Sequence, residues 1–168
     1  MVQFLEMIEN MGIAVWVRES PSIFAYTLVL SLHAIGLAIV VGVSAMVALR
    51  VLGRFDQIPL EPMIKLFPLM YIGFWINAVS GFLLLSTNAT NMLTSTNSLF
   101  PMLTFYIKMA FVVAAVLTLR ILRPRLAAGG TQQGAQGLSY ALLGFWLGAI
   151  IVGRLTAYPY FVAAWLGL

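Results

Sequence analysis

The chain contains no cysteine and a single histidine, His33. Without cysteine it forms no disulfide, has no thiolate for an iron–sulfur cluster and has no thiol nucleophile. A zinc or copper site needs several histidine, cysteine or carboxylate ligands, and a bis-histidine haem needs two histidines. No metal site built by one copy of this chain is therefore predicted.

Charged residues are also scarce, at 8% of 168 residues against 62% hydrophobic. Soluble domains carry about 25% charged residues, so most of this surface is not expected to face water. Apolar runs of about 20 residues indicate spanning helices, and about four fit in this length. The predicted fold class is an all-α integral membrane four-helix bundle, a single domain over 1–168. The net charge of +4 comes from bases beside the spans, and no nucleic-acid partner is expected.

The chain is expected to begin with an amphipathic helix over about 3–17. Phe4, Ile8 and Met11 follow helical spacing on one face, and acidic residues occupy the other. A helix of this kind lies flat at a bilayer surface. Because it lacks a basic n-region, the segment is not expected to be a secretory signal peptide.

Four apolar runs follow this segment. The predicted spans cover about 24–49, 66–85, 102–122 and 139–158. Glycine and glutamine in the last linker predict a flexible connection. Two spacings of small residues, Ala38 with Gly42 and Gly144 with Gly148, are typical of close helix contact.

Lysine and arginine are distributed unevenly between the linkers. The linkers after the first and third spans, with their edges, carry six: Arg50, Arg54, Lys65, Arg120, Arg123 and Arg125. The middle linker has no charge, and the segment before the first span has only Arg18. Because cytoplasmic loops are enriched in basic residues, both termini are predicted to be periplasmic. The expected location is the bacterial inner membrane, with several passes through the bilayer.

Each predicted span carries one strongly polar residue in its outer half: His33, Asn77, Lys108 and Arg154. At 1.5 Å per residue these lie about 13, 12, 9 and 6 Å below the outer boundary. No span contains an acid, and burying a cation there costs at least about 2.5–3.5 kcal/mol. The four residues are therefore candidates for a polar site that binds an anionic ligand.

Each of these residues also has a simpler interpretation. Arg154 and Lys108 can extend toward lipid headgroups, pair with Glu19 at the interface, or meet an acid from a partner protein. His33 and Asn77 can form hydrogen bonds that hold neighbouring helices together. The residues alone do not choose between these interpretations and a ligand site.

The usual catalytic arrangements are missing from the sequence. No acid stands near His33 to orient it as a base for a serine or threonine nucleophile. No phosphate-binding loop or dinucleotide-binding motif is present. The chain is therefore not expected to be an enzyme.

Several short motifs occur in a recognisable order: LHAIGLAIVVG, NAVSGFLLL, FYIKM and GRLTAY. With them, nearly the whole chain resembles a family of small four-helix bacterial inner-membrane proteins of unknown function. The resemblance implies that His33, Lys108 and Arg154 occupy recurrent polar positions. Many members carry a second histidine near the end of the third span, where this chain reads LTLRILR. The polar layout is also similar to membrane cytochrome subunits, whose histidines ligate haem b and whose bases meet its propionates.

Three functions remain open at this level. The first is a non-catalytic accessory subunit of a larger membrane complex, respiratory or redox, which implies protein partners or self-association. The second is an electron-transfer subunit that binds haem b or a quinone through His33, Lys108 and Arg154. A haem would need a second axial ligand from another chain or copy. The third is a small anion transporter or channel, which four spans can form only as an oligomer.

Overall fold

The structure is a computed structural model, and it describes residues 2–94, 99–127, 132–156 and Tyr158. Every regular element in these ranges is a helix. The helices are α1 (Val2–Glu9), α2 (Gly12–Glu19), α3 (Tyr26–Val51), α4 (Leu60–Ile64), α5 (Phe67–Ser86), α6 (Ala89–Leu93), α7 (Leu99–Ala127) and α8 (Gln132–Thr156). Four of them, α3, α5, α7 and α8, are long and apolar enough to cross a membrane. The prediction of an all-α chain with four such helices is confirmed.

The last two long helices extend beyond the predicted spans into the linker between them. α7 continues to Ala127, and α8 begins at Gln132. Glutamine and alanine are good helix formers, and Ala135 is buried in the apolar core, so tertiary packing favours helix here. Most of the predicted flexible linker is therefore helical, and its residues 128–131 lie outside the described residues. The apolar tail after Tyr158 lies outside them too.

The single N-terminal helix predicted over about 3–17 is two short helices. α1 ends at Glu9, Met11 is extended at φ −62° and ψ 139°, and α2 follows. Asn10 and Gly12 flank this break, and both are weaker helix formers than alanine or leucine. The break lets α1 pack against α6 and α2 against α5. The placement of this segment flat on a bilayer stays a prediction.

Two side chains fix this N-terminal pair to the bundle. Glu9 Oε1 accepts a hydrogen bond of 2.7 Å from the Thr90 backbone N–H, at the start of α6. Arg18 donates from Nη1 to the backbone oxygens of Glu9 at 3.3 Å and Thr87 at 3.5 Å. The α1–α2 pair is thereby attached to the end of the bundle where α5 finishes and α7 begins.

Replacing Glu9 with alanine is expected to loosen α1 and α6. Hydrogen bonds to charged groups contribute about 1.5–3 kcal/mol, so amide exchange should accelerate about tenfold or more in 89–93. Hydrogen–deuterium exchange of the detergent-solubilised chain measures this. The control is Glu6→Ala, since the Glu6 side chain is exposed and has no partner among the described residues. Equal acceleration in both variants would contradict the assigned role of Glu9.

The four long helices pack as two antiparallel pairs. α3 pairs with α5 and α7 with α8, and a smaller interface joins α3 to α8. The backbones of α5 and α7 approach each other closely at few points, so a groove lies between them. At one end of this groove lie α1, α2 and α6, which we call the α6 end. At the other lies α4, which we call the α4 end.

The buried apolar core fills mainly the half of the bundle toward the α4 end. It includes Val47, Phe67, Leu122 and Leu142, none more than 1% exposed. The half toward the α6 end contains the buried polar residues Ser80, Ser86, Thr94 and Thr104. Three further buried polar residues, Ser44, Thr118 and Ser139, lie in the half toward the α4 end. Buried polar groups therefore occur in both halves, whereas the apolar core is concentrated in one.

One close helix contact is made by a glycine that the small-residue spacings did not indicate. A Cβ at Gly36 would lie 2.6 Å from the Asn77 backbone nitrogen and 2.7 Å from the Gly73 oxygen. Of the glycines in the predicted spacings, Gly42 and Gly144 would meet nothing within 4 Å with an added Cβ, whereas Gly148 would meet the Phe111 ring of α7 at 3.0 Å. Gly36 is thus the position that lets α3 approach α5, and Gly42 is not.

Candidate functional site

His33 and Asn77 join α3 to α5 through two reciprocal contacts. His33 Nδ1 lies 3.0 Å from the Asn77 backbone oxygen. Asn77 Nδ2 donates to the His33 backbone oxygen at 2.8 Å. The close approach of the two helices at Gly36 makes this exchange geometrically feasible. The interpretation of both residues as hydrogen-bonding contacts between helices fits what the structure contains.

The contacts of His33 define which ring nitrogen carries the proton. A backbone carbonyl only accepts hydrogen bonds, so Nδ1 must donate to Asn77 O. Ser80 Oγ, 3.3 Å from the same nitrogen, itself donates to backbone oxygens on α5. In the neutral ring Nε2 is then an acceptor, and it has no hydrogen-bond partner among the described residues. His33 is held in place through one nitrogen and offers the other to a ligand.

Two glycines make room for the polar side chains. A Cβ at Gly81 would lie 2.9 Å from His33 Cε1, so the imidazole packs directly on the α5 backbone there. A Cβ at Gly153 would lie 3.3 Å from Lys108 Cε, so the lysine stem lies along α8. Both side chains are thereby held inside the bundle.

Lys108 is a partly buried cation without a described counter-charge. No residue in the described ranges forms an ion pair or hydrogen bond with its ammonium group. Three acids lie at the same end: Glu9 accepts from Thr90 N–H, Glu19 pairs with Arg18, and Glu6 is exposed without a hydrogen bond or ion pair to Lys108. An ammonium group held among apolar side chains without an anion is unfavourable, so this position suits an anionic ligand.

His33 and Lys108 line the same cavity, which has a volume of about 330 Å³ and lies toward the α6 end. Residues from α3, α5, α6, α7 and α8 contribute to its walls. The apolar part includes Leu30, Leu84 and Phe105, and polar groups come from Thr87, Asn88 and Thr156. An apolar cavity with a few converging polar groups is typical of a small-molecule site.

The other two predicted site residues do not line this cavity. Asn77, on α5, holds His33 through the two hydrogen bonds described above. Arg154 is exposed, with Nη2 donating to Tyr158 OH at 3.1 Å and its guanidinium 5.1 Å from the centre of that ring. The structure thus places His33 and Lys108 together, Asn77 in support, and Arg154 apart.

Sequence reasoning missed Ser80, Gly81 and Gly153 as parts of the site. Ser80 and Gly81 lie one turn after Asn77, within the quoted NAVSG motif, and Gly153 directly precedes Arg154. Helical spacing could have placed Ser80 near Asn77. Nothing local marks either glycine as the surface on which a side chain from another helix packs.

Among the described residues, no group of three or more histidine, cysteine or acidic side chains is placed to hold a metal ion. Searches against family models, curated proteins and solved structures return no significant match. The four candidate transmembrane helices indicate a multi-pass membrane protein. Beyond that class, function has to be argued from the cavity.

Proposed function

We propose that this chain is a multi-pass protein of the bacterial inner membrane that binds a small anionic ligand between His33 and Lys108. It acts as a non-catalytic subunit of a larger membrane complex. The observation that carries the proposal is the shared cavity, in which a cation without a described partner stands with an anchored imidazole. This arrangement favours a ligand over the purely structural interpretations of Lys108.

The chemistry of the two groups specifies the ligand further. The ammonium of Lys108 donates hydrogen bonds and attracts negative charge. Nε2 of neutral His33 accepts a hydrogen bond. A group that presents an anionic oxygen beside an O–H, such as a monoprotonated phosphate, satisfies both. Leu30, Leu84 and Phe105 suit an apolar portion of the same molecule.

The proposed orientation places this cavity toward the periplasmic side. The bases Arg50, Arg54, Arg123 and Arg125 lie toward the α4 end, and positive loops mark the cytoplasmic face. The α6 end, with Glu9 and the α1–α2 pair, then faces outward. A ligand would reach His33 and Lys108 from the periplasm or from the outer leaflet.

Gentle purification from native membranes tests the proposal. Gel analysis should show stoichiometric partner subunits, and mass spectrometry of an organic extract should show an anionic small molecule. Lys108→Met should lose that molecule and keep the partners. The matched control is Lys65→Met, because Lys65 forms an exposed ion pair with Glu61 in the first linker. A stable monomer with no bound molecule would contradict both parts of the proposal.

One observation favours the electron-transfer alternative with haem b. A histidine that donates from Nδ1 to a backbone carbonyl has the second-sphere arrangement typical of metal-bound imidazole, with Nε2 left for the metal. In that case the native preparation shows a Soret band that disappears in His33→Ala. A colourless preparation that still holds an anionic molecule removes this alternative and supports the first.

A further inference from the structure

A second cavity, of about 190 Å³, lies toward the α4 end in the groove between α5 and α7. Its walls are mostly apolar and aromatic, and one cation contributes to them. The lining includes Val40, Met70, Phe74, Trp75, Val116 and Arg120. The cavity is present because the backbones of α5 and α7 approach each other closely at few points. Its lining residues are different from those around His33 and Lys108.

A second arginine is fixed at the same wall. Arg123 follows Arg120 by three residues on α7, so both point to the same side of the helix. Its guanidinium carbon lies 5.5 Å from the Phe67 ring centre and 5.8 Å from that of Tyr71. Its Nη1 also donates to Tyr71 OH at 3.4 Å, and Tyr71 lines the cavity. The groove is therefore bordered by two guanidinium groups, one held against its aromatic wall.

No described carboxylate balances these two charges. The acids of the first linker are engaged with other bases: Asp56 pairs with Arg50 at 2.9 Å, and Glu61 pairs with Lys65 at 2.9 Å. The remaining acids lie in α1 and α2, at the α6 end. Both guanidinium groups are exposed and therefore accessible to an anion from outside the chain.

We infer that the α5–α7 groove binds an anionic phospholipid, with its phosphate at Arg120 and Arg123 and an acyl chain along the apolar wall. Guanidinium groups recognise phosphate oxygens through two parallel hydrogen bonds. Basic pockets between spanning helices on the cytoplasmic side suit anionic headgroups. The apolar wall formed by Met70, Phe74 and Val116 distinguishes a lipid from a free phosphate, because a free phosphate gains nothing from it.

Native mass spectrometry of the detergent-solubilised full chain tests this inference, with phosphatidylglycerol and phosphatidylcholine as the added lipids. Phosphatidylglycerol should bind more tightly. Arg120→Gln and Arg123→Gln should each weaken its binding about fivefold, from the contribution of one basic residue to an anionic lipid surface. Val116→Phe should also weaken it, since the larger side chain fills the groove and leaves both charges in place.

The matched control is Arg54→Gln, because Arg54 is an exposed arginine that does not line the groove. The Arg54→Gln variant should bind phosphatidylglycerol as tightly as the unmodified chain does. Equal binding of the two lipids would overturn the inference, as would an equal loss in Arg54→Gln and Arg120→Gln. Displacement of phosphatidylglycerol by an equimolar amount of glycerol 3-phosphate would also overturn it, since that shows a site for free anions.

Discussion

Replacing Gly36 with alanine is expected to destabilise the bundle by about 1–3 kcal/mol, the usual cost of overpacking. The new methyl group would stand 2.6 Å from the Asn77 backbone nitrogen and 2.7 Å from the Gly73 oxygen. Backbone atoms cannot rotate away as a flexible side chain does, so α3 and α5 must separate. Their separation lengthens both contacts between His33 and Asn77. The apparent unfolding free energy in detergent, followed by tryptophan fluorescence, measures the loss.

Gly42→Ala provides a matched control on the same helix with the opposite expected sign. A Cβ at Gly42 meets nothing within 4 Å, so only the gain in helix propensity remains. That gain is about 0.5–1 kcal/mol. Destabilisation of similar size in both variants would show that a loss of glycine itself, rather than contact with α5, is responsible.

Replacing Lys108 with methionine is expected to stabilise the ligand-free chain by about 2–3 kcal/mol, the scale of placing a basic residue in a spanning helix. Methionine keeps an unbranched stem of similar length against Gly153 and removes the charge that lacks a described partner. The variant should also lose the stabilisation that an anionic ligand gives. A stability gain with a loss of binding is the signature of a group retained for function.

Lys65→Met serves as the control for this variant. Lys65 and Glu61 form an exposed ion pair, and such pairs contribute about 0–1 kcal/mol. The change should therefore be small, and the response to an anionic ligand should be unaltered. If Lys108→Met instead leaves the stability unchanged or lowers it, the ammonium group of Lys108 reaches lipid headgroups or an acid of a partner protein. The cavity is then not a site for an anion at Lys108.

The two expected results concern different properties of one arrangement. Gly36 brings α3 close enough to α5 for Asn77 to hold His33, whereas Gly153 gives Lys108 its position along α8. Gly36 therefore determines the geometry around His33, and Gly153 determines where the charge of Lys108 lies. A change at Gly36 should lower stability and disturb the geometry around His33 together. A change at Lys108 should raise stability and weaken ligand binding.

The all-helical class of the fold follows from composition and hydropathy alone. Scarce charge and four apolar runs require helices, since a backbone in hydrocarbon must satisfy its own hydrogen bonds. The sequence also made His33 and Lys108 candidate site residues, because polar residues in apolar runs stand out individually. It did not determine the break after Glu9 or the extension of α8 back to Gln132. These depend on Glu9 meeting Thr90 and on Ala135 entering the core, both contacts between distant parts of the chain.

Which of these polar residues line one cavity depends on the packing of the helices. Depth along a helix follows from residue spacing, but the direction a side chain faces in a bundle depends on how each helix is rotated against its neighbours. That rotation placed Lys108 with His33 in one cavity and directed Arg154 to Tyr158. The rotation of each helix is set by close contacts, such as that of Gly36 in α3 with the backbone of α5. A pattern along one helix does not reveal such contacts.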